Sequence, residues 1–218
     1  MKKVVITGGV GSGKSKVLKY LKDNCNCKII RADDIAKKLM MPGEKCYFDI
    51  IKAFPDKVLV TEEVEADLSS KEDVTQGDNK SKYPPFDKKK LSELVFASDQ
   101  GRRIVNSIVH PAVKKYVLED VTSEDKKGAY DYYFFEVALA IEEGYDKLFD
   151  ETWFIYASRS TRCERLKRTR GYSEERIDEI MSSQLSDEEY KAHCTHTINN
   201  DGNIEELYNN ISHILHCD

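Results

Sequence analysis

The run Gly8-Gly9-Val10-Gly11-Ser12-Gly13-Lys14-Ser15 restricts this chain's fold more than any other stretch, because it matches the pattern G-x-x-x-x-G-K-[ST]. Glycines let the backbone take dihedrals that turn successive N–H groups toward phosphate oxygens. A helix starting at Lys14 adds the positive end of its dipole. The lysine brings a full charge to the β- and γ-phosphates, and the Ser15 hydroxyl is a hard oxygen ligand for Mg2+. The context agrees with the motif: Lys3 to Thr7 is a short β-branched run that reads as a buried strand, and Val17, Leu18 and Leu21 share one helical face. The expected occupant is a nucleotide with Mg2+.

The same alternation continues. Lys28 to Ile30 reads as a second strand, followed at Asp33 by a helix carrying Ile35, Leu39 and Met40. Strand, glycine turn, helix, strand, helix predicts a parallel sheet with right-handed crossovers. Tyr130 to Ala140 and Thr152 to Ala157 read as further strands, and His196 to Ile198 as a last short one. Ser173 before Glu174 and Glu175 is a helix cap, Ser186 with Glu189 a capping box, and Asn203 caps a closing helix with an apolar stripe from Ile204 to Leu215. Between Thr61 and Lys82 acids accumulate among Ser, Asn and Gly, which reads as an exposed insertion (61–82). Phe86 to Val117 resumes helical spacing. The expected architecture is one three-layer α/β domain over 1–218 with a parallel core, a helical portion (86–117) and an arginine-rich segment (159–175).

Composition narrows the function. Lys plus Arg is 34 against 39 Asp plus Glu, a net charge of −5, which argues against a general nucleic-acid binder. The longest apolar stretch, Phe134 to Ile141, is broken by Glu136 and falls far short of the roughly 20 residues that span a bilayer. The N-terminus lacks the core and cleavage site of a signal peptide. A cytoplasmic protein with free thiols is therefore expected. Cys25 and Cys27 have the wrong spacing for a thioredoxin-like pair, and His193, Cys194 and His196 read as a helix-end cluster rather than a metal site. Oligomeric state is not legible.

A guanine-reading Asn-Lys-x-Asp is missing, since Asn79-Lys80-Ser81-Lys82 lacks the Asp, and no convincing strand ends in Asp. An acid just past the second strand and a late arginine-rich segment instead suit a small-molecule phosphotransferase. Asp33 is the candidate base, because strand C-terminal ends line the ligand crevice of such sheets. Capping of the helix by Asp33 or Asp34 is the plain alternative. Arg162, Arg165 and Arg168 recur every three residues and share a broad helical face, either as phosphate-binding arginines or as a solvated surface with Glu164, Glu174 and Glu175 for partners.

Taken in order along the chain, these segments resemble the dephospho-CoA kinase family. Thr7 to Ser15 is similar to its Thr-Gly-Gly-Ile-Gly-Ser-Gly-Lys-Ser/Thr, and Arg31-Ala32-Asp33-Asp34-Ile35-Ala36 to its Asp-Ala-Asp-x-Ile-Ala, with Pro42-Gly43 following. Leu91 to Phe96, Val109-His110-Pro111, Val137 to Glu142, Arg165 to Arg168, Gln184 and Asn199 to Gly202 resemble later family elements. Only 61–82 lies outside the likeness. The resemblance implies transfer of a phosphoryl group from ATP to the ribose 3′-hydroxyl of dephospho-CoA. It implies Asp33 as base, Arg165 of an arginine-rich lid (159–175) on the phosphates with Lys14, a helical acceptor-binding portion (86–117), and nucleotide contacts from Gly9, Gly11, Ser12, Gly13, Lys14, Ser15 and Lys16. A nucleoside or nucleotide acceptor is the alternative within the class; a nucleotide-dependent switch protein is the alternative outside it. Arg31, Ala138 and Lys16 depart from the family's Asp, Pro and Thr. His110 reads either as a functional residue or as one that starts or orients a helix, and Glu142 as either an acceptor contact or a buried cap.

Overall fold

Strands β1 (Lys2–Thr7), β2 (Cys27–Arg31), β3 (Tyr132–Glu136), β4 (Glu151–Tyr156) and β5 (His196–Asn199) form one parallel sheet in the order β2-β3-β1-β4-β5. The computed structural model describes residues 1–55, 58, 83–96 and 99–216. The expected insertion (61–82) and the Asn79-to-Lys82 segment lie outside them. The chain divides into two compact units, one of residues 1–32 and 121–218, the other of residues 33–120.

The first unit holds the sheet. Its central strands β1, β3 and β4 are buried on both faces, so their side chains alternate between two apolar layers rather than between core and solvent. Val4, Ile6, Phe134, Trp153, Ile155 and Ile198 point to the face covered by α1 (Lys14–Asn24) and by the closing helix Ile204–His216. Val17, Leu18 and Leu21 of α1 meet Leu207 and Ile211 there. Tyr20 and Tyr208 close that layer with ring centroids 4.5 Å apart. Tyr133, Phe135 and Phe154 point the other way. They meet Tyr145, which opens a short 3-10 segment, Phe149 just beyond it, and Tyr190, whose ring stacks on Phe154 at 4.7 Å. The three layers expected from the sequence are thus built by a period of two along each strand.

The second unit is helical among its described residues. It comprises most of α2 (Ala32–Leu39), α3 (Lys45–Ala53), α4 (Lys88–Phe96) and the longer part of α5 (Asp99–Lys127). The sequence reading passed over α3, which buries Cys46, Tyr47 and Ile50. Tyr47 donates its hydroxyl to the Pro84 carbonyl at 2.6 Å and packs on Phe86. Asp87 caps α4 by accepting from the N–H groups of Lys89 and Lys90. Helix α5 runs unbroken through Pro111, so His110 and Pro111 are mid-helix and do not start one. A proline there costs about 3 kcal/mol through the lost hydrogen bond and ring clash. Val105, Val109, Val113, Val117 and Val121 recur every fourth residue and are all buried, and each contributes about 1.5–3 kcal/mol by burial. The stripe outweighs the break.

The remaining helices of the first unit follow their caps: α6 (Arg159–Arg170) from Ser158, α7 (Glu174–Ser182) from Ser173, α8 (Asp187–His193) from Ser186, and α9 (Ile204–His216) with Asn203 accepting from the Glu206 N–H. Ser186 and Glu189 make the reciprocal capping box.

Candidate functional site

In a parallel sheet all strands end at one edge, and ligands sit where the chain winds away to opposite sides. Here β1 is central. The segment from Gly8 to Gly13 leaves its end and enters α1, so the glycine loop stands on the axis of the sheet.

Gly13 takes φ 93°, ψ 25°, the left-handed conformation that L-residues with a side chain resist. A Cβ on Gly13 would also collide with the Asn200 amide. At Gly9 the requirement is space: a Cβ there would run into the guanidinium of Arg162. Loop carbonyls are taken up one after another by groups brought from far along the chain. Val10 O accepts from Arg162 Nε at 2.9 Å, Ser12 O from Asn200 Nδ2 at 2.6 Å, and Gly11 O and Ser12 O from Arg165 Nη1 at 3.4 and 3.3 Å. Because a trans peptide places N–H opposite C=O, anchoring these carbonyls turns the Gly11, Ser12 and Gly13 N–H groups away from α6. Ser12 N–H bonds back to Gly9 O at 3.2 Å, and Val10 N–H is held by Gln184 Oε1 at 3.1 Å. The loop therefore does not aim every amide inward, as a uniform cradle would.

Lys14 folds into the loop, with Nζ 2.6 Å from Gly8 O and 3.4 Å from Gly9 O. Ser15 and Lys16, in the first turn of α1, are exposed. Ser12 Oγ is buried and has no hydrogen-bond partner among the described residues. Turned-out amides, an ammonium and an unpartnered buried hydroxyl fit an oxyanion ligand such as a nucleotide's phosphates. No group of three His, Cys, Asp or Glu able to hold a metal exists among the described residues. Magnesium needs none, because it keeps its waters and binds substrate phosphates with one or two protein oxygens; the exposed Ser15 hydroxyl suits that arrangement.

The arginine-rich segment divides into two populations. Arg162 is 9% exposed and Arg165 half-buried, and both face the glycine loop. Arg165 also donates to Asn200 O at 2.7 Å. Arg168 is exposed. Arg159 pairs with Asp178, Lys167 with Glu174 at 3.0 Å, and Arg176 with Glu179 at 3.0 Å. Arg162 and Arg165 are thus turned to the loop backbone, while Arg159, Lys167, Arg168 and Arg176 belong to the solvated surface. Asp201 accepts at Oδ1 from the Ser158 N–H and hydroxyl at 2.8 and 2.9 Å, tying the start of α6 to the end of β5. Burial pushes the Asp201 carboxyl up, but hydrogen bonds from Thr161 and Ser158 and the charge of Arg165 carry it below its usual value.

Asp33 and Asp34 both lie in the first turn of α2, inside the helix rather than at its cap, and both are exposed. Asp34 pairs with Lys37 at 3.8 Å. Asp33 follows the end of β2 by two residues, and β2 ends at the same sheet edge as β1, with β3 between them. Sequence reasoning found no strand ending in Asp; β3, next to β1, ends in Glu136, whose side chain is 12% exposed. Arg31 donates from Nε to Glu136 Oε2 at 3.1 Å, and the two are register partners across β2 and β3. The departure at Arg31 is thereby matched by an acid on the neighbouring strand. Thr7 Oγ1 donates to the carbonyl of Ala138 at 3.1 Å, so that departure leaves a backbone contact in place. Glu142 is exposed, which removes the buried-cap reading. His193 pairs with Asp146 at 3.3 Å, and His196 lies 3.8 Å from Glu151.

A parallel sheet whose central strand runs through this anchored loop into a helix defines the phosphate-loop class of nucleotide-binding α/β proteins. Comparison with known proteins narrows the class. The sequence model of the dephospho-CoA kinase family matches residues 3–69 and 81–206, and the chain belongs to that family. A dephospho-CoA kinase of Thermobifida fusca is 30% identical over 207 residues, covering 95% of this chain and 91% of that protein. One from Geobacter sulfurreducens is 28% identical over 209 residues, covering 96% and 94%. The solved dephospho-CoA kinase from Campylobacter jejuni shares the fold, with a TM-score of 0.66 at 23% identity over 99% of this chain and 96% of that one.

Proposed function

We propose that this chain transfers the γ-phosphoryl group of ATP to the ribose 3′-hydroxyl of dephospho-CoA, giving coenzyme A and ADP. The observation that carries the reading is a family match along nearly the whole chain that includes the glycine loop, with its lysine and turned-out amides. In this reading Gly9, Gly11, Ser12, Gly13, Lys14, Ser15 and Lys16 hold the triphosphate. Asp33 accepts the proton of the 3′-hydroxyl as its oxygen bonds to the γ-phosphorus and the bond to the β,γ-bridging oxygen breaks. Lys14 and Arg165 neutralise the charge spread over the transferring group. Arg165 does so by turning its side chain alone from the carbonyls of Gly11 and Ser12, while Arg162 and Leu166 keep the helix that begins the 159–175 lid seated on the loop. The Ser15 hydroxyl would hold Mg2+, which would supply further neutralisation of the phosphate charge. Residues 86–117 serve the acceptor. Free cysteines at 25, 27, 46, 163 and 194 suit a reducing, cytoplasmic setting.

A coupled ADP-release assay with and without dephospho-CoA tests the reading, with AMP, CMP and deoxynucleosides as competing acceptors. Acceptor-dependent ADP release with dephospho-CoA alone is expected. Equal or faster turnover with a nucleotide acceptor would replace the proposal, and nucleotide-dependent protein binding without any acceptor turnover would move the chain out of the kinases.

A further inference from the structure

Arg162 carries a fixed positive charge, and the chain has placed it where water barely reaches. Its two hydrogen bonds go to neutral oxygens: Nε to Val10 O at 2.9 Å and Nη2 to Gln184 Oε1 at 2.8 Å. No carboxylate lies within ion-pairing distance of it among the described residues. Asp178, Glu174 and Glu179 are engaged with Arg159, Lys167 and Arg176. Burial draws the guanidinium below its usual value, and Asp187 acts in the opposite sense from further away. A buried cation without a partner is costly to maintain, and replacing such groups with neutral ones is often neutral or stabilising. Its position gives the reason to keep it. The guanidinium lies against Gly9 so closely that no side chain fits between them. The Val10 carbonyl points at it, so the Gly11 N–H points to the opposite side of the loop.

We propose that Arg162 is a built-in countercharge for the phosphates of the nucleotide: a buried cation behind the glycine loop that acts through the loop without touching the ligand. It is a positioning residue, distinct from Lys14 and Arg165, and Gln184 holds it while leaving its charge uncancelled. The glutamine amide oxygen accepts from both Val10 N–H and Arg162, so a carboxylate oxygen can take both bonds in the same place. The proposal rests on the reading that the loop binds a nucleotide's phosphates.

The test is Gln184→Glu, which keeps shape and both hydrogen bonds and adds the missing negative charge. Dissociation constants for ATP, ADP, AMP and adenosine are measured by calorimetry on the full chain, together with the melting temperature of the unliganded protein. A countercharge role predicts a loss of about tenfold for ATP, less for ADP and AMP, and none for adenosine, because the effect scales with ligand charge. The unliganded variant melts higher than the parent. Arg162→Lys, which retains charge without the fork, loses less ATP affinity than Arg162→Met. If Gln184→Glu binds ATP within twofold of the parent, or if ATP and adenosine weaken equally, Arg162 only shapes the loop and the proposal falls. Failure of the parent chain to bind ATP at all would instead overturn the functional reading beneath it.

Discussion

Replacing Gly13 by alanine isolates how the loop is held. Two effects add at this position. The left-handed backbone at φ 93° disfavours a residue with Cβ by about 1–2 kcal/mol. The new methyl also lands on the Asn200 amide, forcing it from Ser12 O. Asn200 is 2% exposed, and a buried amide left without its partner costs about 1–3 kcal/mol. The total, about 2–5 kcal/mol, lowers the melting temperature by about 2–4 °C per kcal/mol in a chain of this size. Gly171 supplies the control: it closes α6 at φ 62° with nothing within 4 Å of an added Cβ, so Gly171→Ala carries only the backbone effect. The decisive assay is a double-mutant cycle by denaturant unfolding with Gly13→Ala, Asn200→Ala and both. Once Asn200 is an alanine, the collision is gone and the Gly13 penalty shrinks toward that of Gly171. A coupling of about 1–3 kcal/mol is expected. Additivity within about 0.5 kcal/mol would refute the claim that the Asn200 amide, rather than backbone strain alone, makes Gly13 irreplaceable.

Three further outcomes are expected. Asp33→Asn leaves ATP affinity within about threefold but lowers turnover with dephospho-CoA by about 100-fold or more, the scale of a lost general base; near-full turnover would remove Asp33 from the chemistry. Burial, with the charge of Asp146 adding to it, pushes the Cys194 thiol up to about 12, and burial together with Cys25 raises Cys27 to about 11. At pH 8 both should therefore react with iodoacetamide at least about 100-fold slower than in the urea-unfolded chain, and mass spectrometry of tryptic peptides that found equal rates would contradict the burial argument. Asp201 is held below its unfolded value, so its contribution is complete above the unfolded carboxyl range near 4 and is lost as pH falls through the lower folded value. Melting temperature between pH 5 and 2 should fall more steeply for the parent than for Asp201→Asn, and parallel curves would show that Asp201 adds nothing to the acid limb.

The strands and most helices were legible because their signals are local. β-branched runs marked β1 and β2, aromatic runs marked β3 and β4, and Ser173, Ser186 and Asn203 marked three helix starts through side chains that reach only two or three residues ahead. Helix α3 escaped notice because only Cys46, Tyr47 and Ile50 carry its buried face, in a short segment just after Pro42-Gly43. The passage of α5 through Pro111 escaped because a proline is read locally, whereas the valine stripe that overrides it extends to Val121 on the far side. Strand order is a nonlocal property: nothing in β3 itself says that it lies between β1 and β2. That placement gives Glu136 its interest and turns Arg31 from an unexplained departure into half of an ion pair.

The glycine motif shows where local reading stops. Its letters announce a phosphate-binding turn, yet the reason Gly9 must lack a side chain is a guanidinium brought by α6, and the reason Gly13 must is an amide brought by the end of β5. Arg162 sits among Arg159, Glu164, Arg165 and Lys167 in the sequence, which is the composition of a solvated helix face. Only the fold reveals that Arg162 and Arg165 of that run turn to the loop, and that Arg162 is buried against Val10, 152 positions earlier. A helical period of 3.6 explains how both populations arise from one segment: Arg162 and Leu166, four apart, are buried together, while Lys167, Arg168 and Arg170 face water. The basic run is thus an amphipathic helix whose inward face includes a cation, and the spacing to Leu166 was the one signal in the sequence that could have separated Arg162 from its neighbours.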